Sequence, residues 1–143
     1  MRRKVASIFI VLIVAIMCAT LSGCKIYHWK IEKSVDEIER IEIIYLNSAY
    51  KDEYDVIKEI PKAKYSEIIN DIESLEAQKY FGELTQPSNE TIRITFANGD
   101  FDLISLFEPC HRHKDVDYWN DKNTRLCFKK EQFNRLIEKW TTE

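Results

Sequence analysis

The hydrophobic and polar positions of this chain change their spacing several times, and each change predicts a different element. Apolar and polar residues alternate over 38–46 and, more weakly, over 54–60, which indicates two β-strands. After Pro61 the apolar spacing changes to three and four residues, and this predicts a helix. The apolar stripe of that helix consists of Tyr65, Ile68, Ile69, Ile72 and Leu75. We expect the helix to stop shortly after this stripe, at Gly82.

The dipeptide Asn98-Gly99 predicts a tight hairpin, because both central positions of a type I′ turn need positive φ. Pairing outward from this two-residue turn sets Phe96 opposite Phe101. The same register pairs Ile94 with Leu103 and Ile92 with Ser105, so that the apolar residues of both strands share one face. The other face is then half-solvated and carries Arg93, Thr95, Asp102 and Ile104.

Two further elements are predicted towards the end of the sequence. Residues 124–129 alternate in polarity and indicate a strand, and a disulfide between Cys110 and Cys127 would fit if it neighbours the strand at 100–108. A last helix is predicted from the spacing of Phe133, Leu136, Ile137 and Trp140. Strands and helices do not alternate strictly. The predicted fold is therefore α+β, a two-layer sandwich of a mainly antiparallel sheet with two helices packed on one face.

The first residues have the layout of an export signal. Three basic residues at 2–4 precede an uncharged, mostly apolar run over 5–21. The run ends in Leu21-Ser22-Gly23-Cys24, which resembles the lipobox of bacterial lipoproteins. That resemblance implies cleavage before Cys24 and attachment of a diacylglycerol to its thiol. An uncleaved membrane anchor and an ordinary secretory signal are the alternatives, and both also export the domain.

The lipobox resemblance implies a domain organisation and a location. Residues 1–23 are the signal peptide, 24–36 the lipidated N-terminus with a short tether, and 37–143 a single α+β domain. The layout resembles that of small uncharacterised lipoproteins of Gram-positive bacteria. We expect the mature chain on the outer face of the bacterial cytoplasmic membrane, held by membrane lipid through acylated Cys24, with an envelope protein as a further partner.

Residues 27–31 lie within the tether and alternate in polarity. Tyr27, Trp29 and Ile31 are separated by His28 and Lys30. This pattern indicates either a short edge strand or an aromatic anchor at the lipid interface. We favour the strand.

Composition and charge exclude several classes of function. Charged residues make up 31 % of the chain and hydrophobic residues 45 %, which is the balance of a folded domain. The three glycines are too few for a P-loop or a dinucleotide-binding fingerprint. The formal net charge is −3, and loss of the basic leader makes the mature chain more acidic. We therefore expect no nucleic-acid partner, and repulsion rather than attraction by anionic lipid.

Two cysteines remain outside the leader and the lipobox. Because an exported chain meets an oxidising environment, we expect Cys110 and Cys127 to form a disulfide. The bond would close about 17 residues and stabilise the fold by roughly 3 kcal/mol. The alternative is two reduced thiols that are buried or bound to metal.

The segment between these cysteines contains the candidate binding residues. One interpretation is recognition of a macromolecule, because aromatic and arginine side chains dominate interface hot spots. The residues concerned are His111, Arg112, His113, Tyr118 and Trp119. A second interpretation is a metal site formed by His111, His113 and Asp115, since alternation on an extended chain points both imidazoles the same way. A third is that the aromatic residues merely cover a sheet edge.

No set of residues has the pattern of a catalytic site. The mature chain has no nucleophile in a strand-to-helix elbow beside a histidine, and its carboxylates are scattered over helix faces. We therefore expect no catalytic residues and no cofactor. The predicted function is a binding or accessory interaction module of the envelope, with extracytoplasmic metal binding by the His111-His113 loop as the alternative.

Overall fold

The structure is a computed structural model that describes residues 25–48, 53–79, 90–113 and 125–143. The predicted signal peptide and lipobox, and the predicted site residues Asp115, Tyr118 and Trp119, lie outside these ranges. The strands are β1 (Ile38–Ser48), β2 (Glu53–Glu59), β3 (Ala77–Lys79), β4 (Glu90–Phe96), β5 (Phe101–Ser105), β6 (Cys110–Arg112) and β7 (Leu126–Phe128). The helices are α1 (Tyr65–Ser74) and α2 (Lys130–Thr142), and 3₁₀ turns lie at Val35–Glu37 and Lys62–Lys64.

Within the described ranges, five strands form an antiparallel sheet in the order β2-β1-β4-β5-β6. Both helices pack on one face of this sheet, against a core that includes Ile41, Ile43 and Ile94. The predicted α+β sandwich, a mainly antiparallel sheet with two helices on one face, is confirmed. No helix in the described residues is long and apolar enough to cross a bilayer.

The two helices use the stripes that their spacing predicts. Tyr65, Ile68, Ile69 and Ile72 of α1 are buried, as are Phe133, Leu136, Ile137 and Trp140 of α2. Polar contacts also join the helices: the indole Nε1–H of Trp140 donates to Asp71 Oδ2 at 2.9 Å, and Lys139 Nζ lies 2.7 Å from the same oxygen and 3.2 Å from Glu67 Oε1. The C-terminal boundary of α1 was predicted wrongly. The helix ends at Ser74, and β3 follows well before Gly82.

The predicted register of the hairpin at Asn98-Gly99 is wrong by one residue. Thr95 pairs with Phe101 and Ile94 with Asp102, and the backbone N–H of Phe96 donates to Asp100 at 2.9 Å. The loop therefore has three residues. Gly99 has φ 89°, whereas Asn98 does not have positive φ. This is a type I turn followed by a left-handed residue, the usual geometry of a three-residue hairpin loop.

The shift by one residue exchanges the faces of β5, because side chains alternate along a strand. Asp102 and Ile104 point into the core beside Ile94, while Phe101 and Leu103 lie on the opposite face. That opposite face is buried, not half-solvated as predicted. Its cluster consists of Ile44, Leu46, Leu103 and Cys110, with Tyr54 and Phe101 at the margin. The guanidinium of Arg93 lies 3.7 Å from the ring centre of Phe101.

The left-handed conformation of Gly99 makes the turn sensitive to substitution. A Cβ at positive φ meets the following carbonyl group, so we expect Gly99→Ala to lower the free energy of unfolding by about 1 kcal/mol. Gly99→Asn should lose less than half as much, because asparagine tolerates this conformation. Urea unfolding of both variants measures the difference. Equal losses of unfolding free energy in the two variants would show that the left-handed conformation at position 99 is not the cause.

A second, two-stranded sheet pairs β3 with β7. The strand predicted over 124–129 is thus shorter and is not part of the main sheet. An isolated bridge pairs its Cys127 with Phe107, and its Leu126 and Phe128 side chains pack in the same core as the main sheet. The strand favoured over 27–31 is reduced to a bridge between Tyr27 and Ala77. Trp29, two residues on, is 2 % exposed and belongs to the core. Burial of this large apolar ring holds the segment around Trp29 against the core.

The predicted disulfide is not formed. Cys110 and Cys127 are both present as thiols. Cys110 packs with Leu103 in the cluster on the face of the main sheet opposite α1 and α2, whereas Cys127 lies in the other sheet, opposite Gln78. Burial raises the pKa of the Cys127 thiol. The reactive thiolate is therefore disfavoured at neutral pH.

Candidate functional site

The candidate site is built around Asp102, a carboxylate that is fully buried on the helix-covered face of the main sheet. A buried carboxylate is costly unless other groups hydrogen-bond to it. His111 Nδ1 lies 2.7 Å from Asp102 Oδ1, and the backbone N–H of Glu32 donates to Asp102 Oδ2 at 3.4 Å. These contacts join Asp102 on β5 to His111 on β6 and to the backbone of Glu32, which precedes β1.

Sheet pairing positions the two central groups of the site. Asp102 on β5 and His111 on β6 are directly opposed residues of an antiparallel pair. Opposed side chains lie on the same face about 4.5–5.5 Å apart at Cβ, which is close enough for a direct hydrogen bond. The three-residue hairpin loop is therefore a condition of the site, because the predicted two-residue turn would have turned Asp102 to the other face.

The third group, Glu32, comes from the tether and is held by a local network. The backbone N–H and Oγ of Ser34 both donate to Glu37 Oε2 at 3.1 Å, and the Glu37 N–H donates back to the Ser34 carbonyl. The Ala97 N–H donates to the Glu37 carbonyl at 2.9 Å. These bonds tie the 3₁₀ turn to the β4–β5 hairpin, and they place Glu32 over the pair formed by Asp102 and His111.

The imidazole of His111 is fixed from one side by Trp29. The two rings are stacked, with centroids 4.4 Å apart and planes 27° from parallel. Because Trp29 is itself buried in the core, it restricts the orientation of the imidazole. A rigid ligand loses less conformational entropy when an ion binds.

His113 extends the cluster towards solvent. Its Nε2 lies 3.7 Å from Glu32 Oε1 and its Nδ1 lies 3.4 Å from Asp100 Oδ2. Asp100 is also contacted by Lys33 Nζ at 2.7 Å. His111 and His113 thus face the same side of the strand, and both approach the carboxylate of Glu32.

Burial dominates the electrostatics of Asp102. Loss of solvation raises the pKa of this carboxyl, while the hydrogen bond and charge of His111 act in the opposite direction. The ionised carboxylate therefore depends on a positive partner. A protonated His111 supplies such a partner, and a cation bound between the same groups would supply it more strongly.

The donor atoms are close enough to share one ion. One ligand atom each from Glu32, Asp102 and His111 lies within 4.8 Å of the others. Bonds from Zn²⁺ to nitrogen or carboxylate oxygen are about 2.0–2.2 Å long, so donors around one ion lie roughly 3–4 Å apart. One imidazole with two carboxylates is a donor set for a divalent first-row transition ion.

The structure shows where some of the sequence-predicted site residues lie. It brings His111 and His113 together and turns Arg112, which is buried, to the opposite face beside Phe101. Asp115, Tyr118 and Trp119 are outside the described residues. Sequence reasoning missed Glu32 and Asp102. Glu32 lies 70 positions from Asp102 and carries no local signal, whereas a correct turn assignment would have placed Asp102 beside His111.

Comparison with known proteins finds no relative. No family model, no curated protein and no solved structure matches this chain. The chemistry of the site is therefore argued from its own geometry.

Proposed function

We propose that this protein is a lipid-anchored binding module of the cell envelope whose ligand is a divalent transition-metal ion. The observation that carries the proposal is the convergence of Glu32, Asp102 and His111, three donor groups within 4.8 Å of one another. They come from the tether, β5 and β6. His113, whose Nε2 lies 3.7 Å from Glu32 Oε1, is a fourth candidate donor.

The donor set selects among metal ions. An imidazole suits Zn²⁺, Ni²⁺, Cu²⁺ and Fe²⁺, while the carboxylates also suit Mn²⁺. Ca²⁺ takes six to eight oxygen ligands, and a nitrogen donor held by a rigid stack does not serve it. We therefore expect binding of Zn²⁺ and discrimination against Ca²⁺. The function is capture or sensing of the ion rather than catalysis.

Metal binding and the existing hydrogen bond compete for the same atoms. His111 Nδ1 and Asp102 Oδ1 are 2.7 Å apart and share a proton in the metal-free protein. Because a metal ligand must be deprotonated, binding through these atoms displaces that proton, which passes to the buffer where His111 is an imidazolium before the ion binds. The positive charge that Asp102 needs is then supplied by the ion.

Titration of the full chain, purified in detergent and stripped with a chelator, tests the proposal. Isothermal titration calorimetry with Zn²⁺ should show one site per chain, with an enthalpy that changes with the ionisation enthalpy of the buffer because protons are released. Ca²⁺ under the same conditions should give no comparable heat. Absence of saturable Zn²⁺ binding, or equal binding of Ca²⁺, would refute the assignment.

The lipid anchor is a separate part of this proposal. It is supported by the resemblance of Leu21-Ser22-Gly23-Cys24 to a lipobox after an uncharged run. A pair of acyl chains gives stable attachment where a single chain is marginal. Recognition of an envelope protein through Tyr118 and Trp119 stays a prediction.

A further inference from the structure

We propose that the domain docks on anionic phospholipid through a defined surface next to its anchor. This surface, the N-terminal patch, consists of Lys25, Ile26, Tyr27 and Lys79. The inference rests on the lipid-anchor part of the proposed function and goes beyond it, because an anchor alone does not determine which face of a domain meets the bilayer.

The length of the tether decides which surface lies near the membrane. The backbone N–H of Tyr27 donates to the Ala77 carbonyl at 2.8 Å, and the Ala77 N–H donates back to Tyr27 at the same distance. Only three residue steps separate Tyr27 from the acylated position 24, and a fully extended chain spans at most about 3.6 Å per step, roughly 11 Å. Even at full extension of the chain, the bridged surface is therefore separated from the acylated residue by little more than one Debye length, which is ~8 Å at physiological salt.

The patch has the chemistry of a lipid interface. Ile26 is 50 % exposed, one of the few large apolar side chains in the described residues with that much exposure. The ammonium groups of Lys25 and Lys79 lie 5.5 Å and 5.7 Å from the centre of the Tyr27 ring. An aromatic ring flanked by lysines, beside an exposed aliphatic residue, combines an interfacial anchor with cationic contacts for phosphate groups.

Among the described residues near the patch, two carboxylates are already paired with lysines outside it. Glu73 is ion-paired with Lys30, and Glu76 with Lys129. The hydrogen bond from Lys129 is the main cause that lowers the pKa of Glu76. The chain as a whole is acidic, which predicts repulsion from anionic lipid, but the surface that the tether holds at the bilayer has the opposite sign. Close to the bilayer, attraction between the lysines of the patch and anionic headgroups therefore outweighs repulsion by the acidic rest of the chain.

Amine footprinting of the full acylated chain in vesicles tests the docking. We expect acetylation of Lys25 and Lys79 to fall by about fivefold or more in phosphatidylcholine vesicles that contain phosphatidylglycerol, relative to phosphatidylcholine alone. Lys62 is the internal control: it is exposed and lies beyond the far end of α1, a helix about 15 Å long. Its acetylation should be equal in both kinds of vesicle. Lys25→Gln should reduce the protection of Lys79, whereas Lys62→Gln should not.

The mass of the N-terminal peptide from the same samples separates the two levels of the proposal. An acylated Cys24 with Lys25 and Lys79 labelled as fast as Lys62 would overturn the docking and leave the anchor intact. Equal protection in both kinds of vesicle would overturn the role of anionic lipid. An unmodified Cys24 would refute the anchor, and the docking with it.

Discussion

Replacing His111 with alanine is expected to weaken Zn²⁺ binding by on the order of 100-fold, because loss of an outer-shell partner alone costs about 10- to 100-fold and His111 is a direct donor. The change removes one of the three converging ligands and leaves Asp102 without its imidazole partner.

Glu32→Ala should weaken Zn²⁺ binding to a similar degree with little loss of stability, since the Glu32 side chain is partly exposed. Calorimetric titration of the full-length variants measures both effects.

His28→Ala is the matched control for this series. His28 is an exposed imidazole four residues from Glu32 in sequence, and it is not one of the three converging groups. Its removal should leave Zn²⁺ affinity unchanged. Asp102→Asn adds a second check, because it keeps the shape of the side chain and removes the charge that holds the ion. A variant with either His111 or Asp102 replaced that still binds Zn²⁺ with full affinity would exclude this site.

Ile94→Ala is expected to lower the free energy of unfolding by about 3–4 kcal/mol, since it deletes most of a fully buried side chain and leaves a cavity. Ile94 lies on a central strand, opposite both Ile41 and Asp102. For a domain of this size, a loss of that amount lowers the melting temperature by roughly 10–15 °C. Chemical denaturation followed by far-UV circular dichroism gives the free energy directly.

Val56→Ala serves as the control for this substitution. Val56 is 51 % exposed on the edge strand β2, so its truncation creates no cavity and should cost less than about 0.5 kcal/mol. A similar loss for Val56→Ala and Ile94→Ala would show that the core does not lie where the structure places it. The contrast between the two positions tests the arrangement of the layers.

Both helices were predictable because their hydrophobic faces are decided by local spacing. The stripe that begins at Tyr65 and the stripe that ends at Trp140 each need only the 3.6-residue period to be recognised. The strand at 38–46 was recognisable for a similar reason, by its alternation. β3 and β6 were not predicted, since each spans only three residues, whereas the equally short β7 lies within a longer alternating run at 124–129.

The candidate site was only half predictable. His111 and His113 attract attention as an alternating pair, but their partners depend on pairings that the local sequence does not specify. Asp102 was assigned to the wrong face because Asn98-Gly99 is compatible with both a two-residue and a three-residue loop. The loop length decides which β5 side chains face the core, so the choice between the two loops depends on how those side chains pack against α1 and α2.

By itself, the sequence determined the amphipathic helices after Pro61 and before its last residues, and the presence of a hairpin at Asn98-Gly99. It also predicts an export signal with a lipobox-like end. These features follow from composition and periodicity within short windows, where each residue's preference is independent of distant partners. Tertiary structure alone decided the hairpin register, the burial of Asp102 against His111, the return of Trp29 to the core and the approach of Glu32. Each of these depends on contacts between distant segments, and such contacts form only when the layers pack.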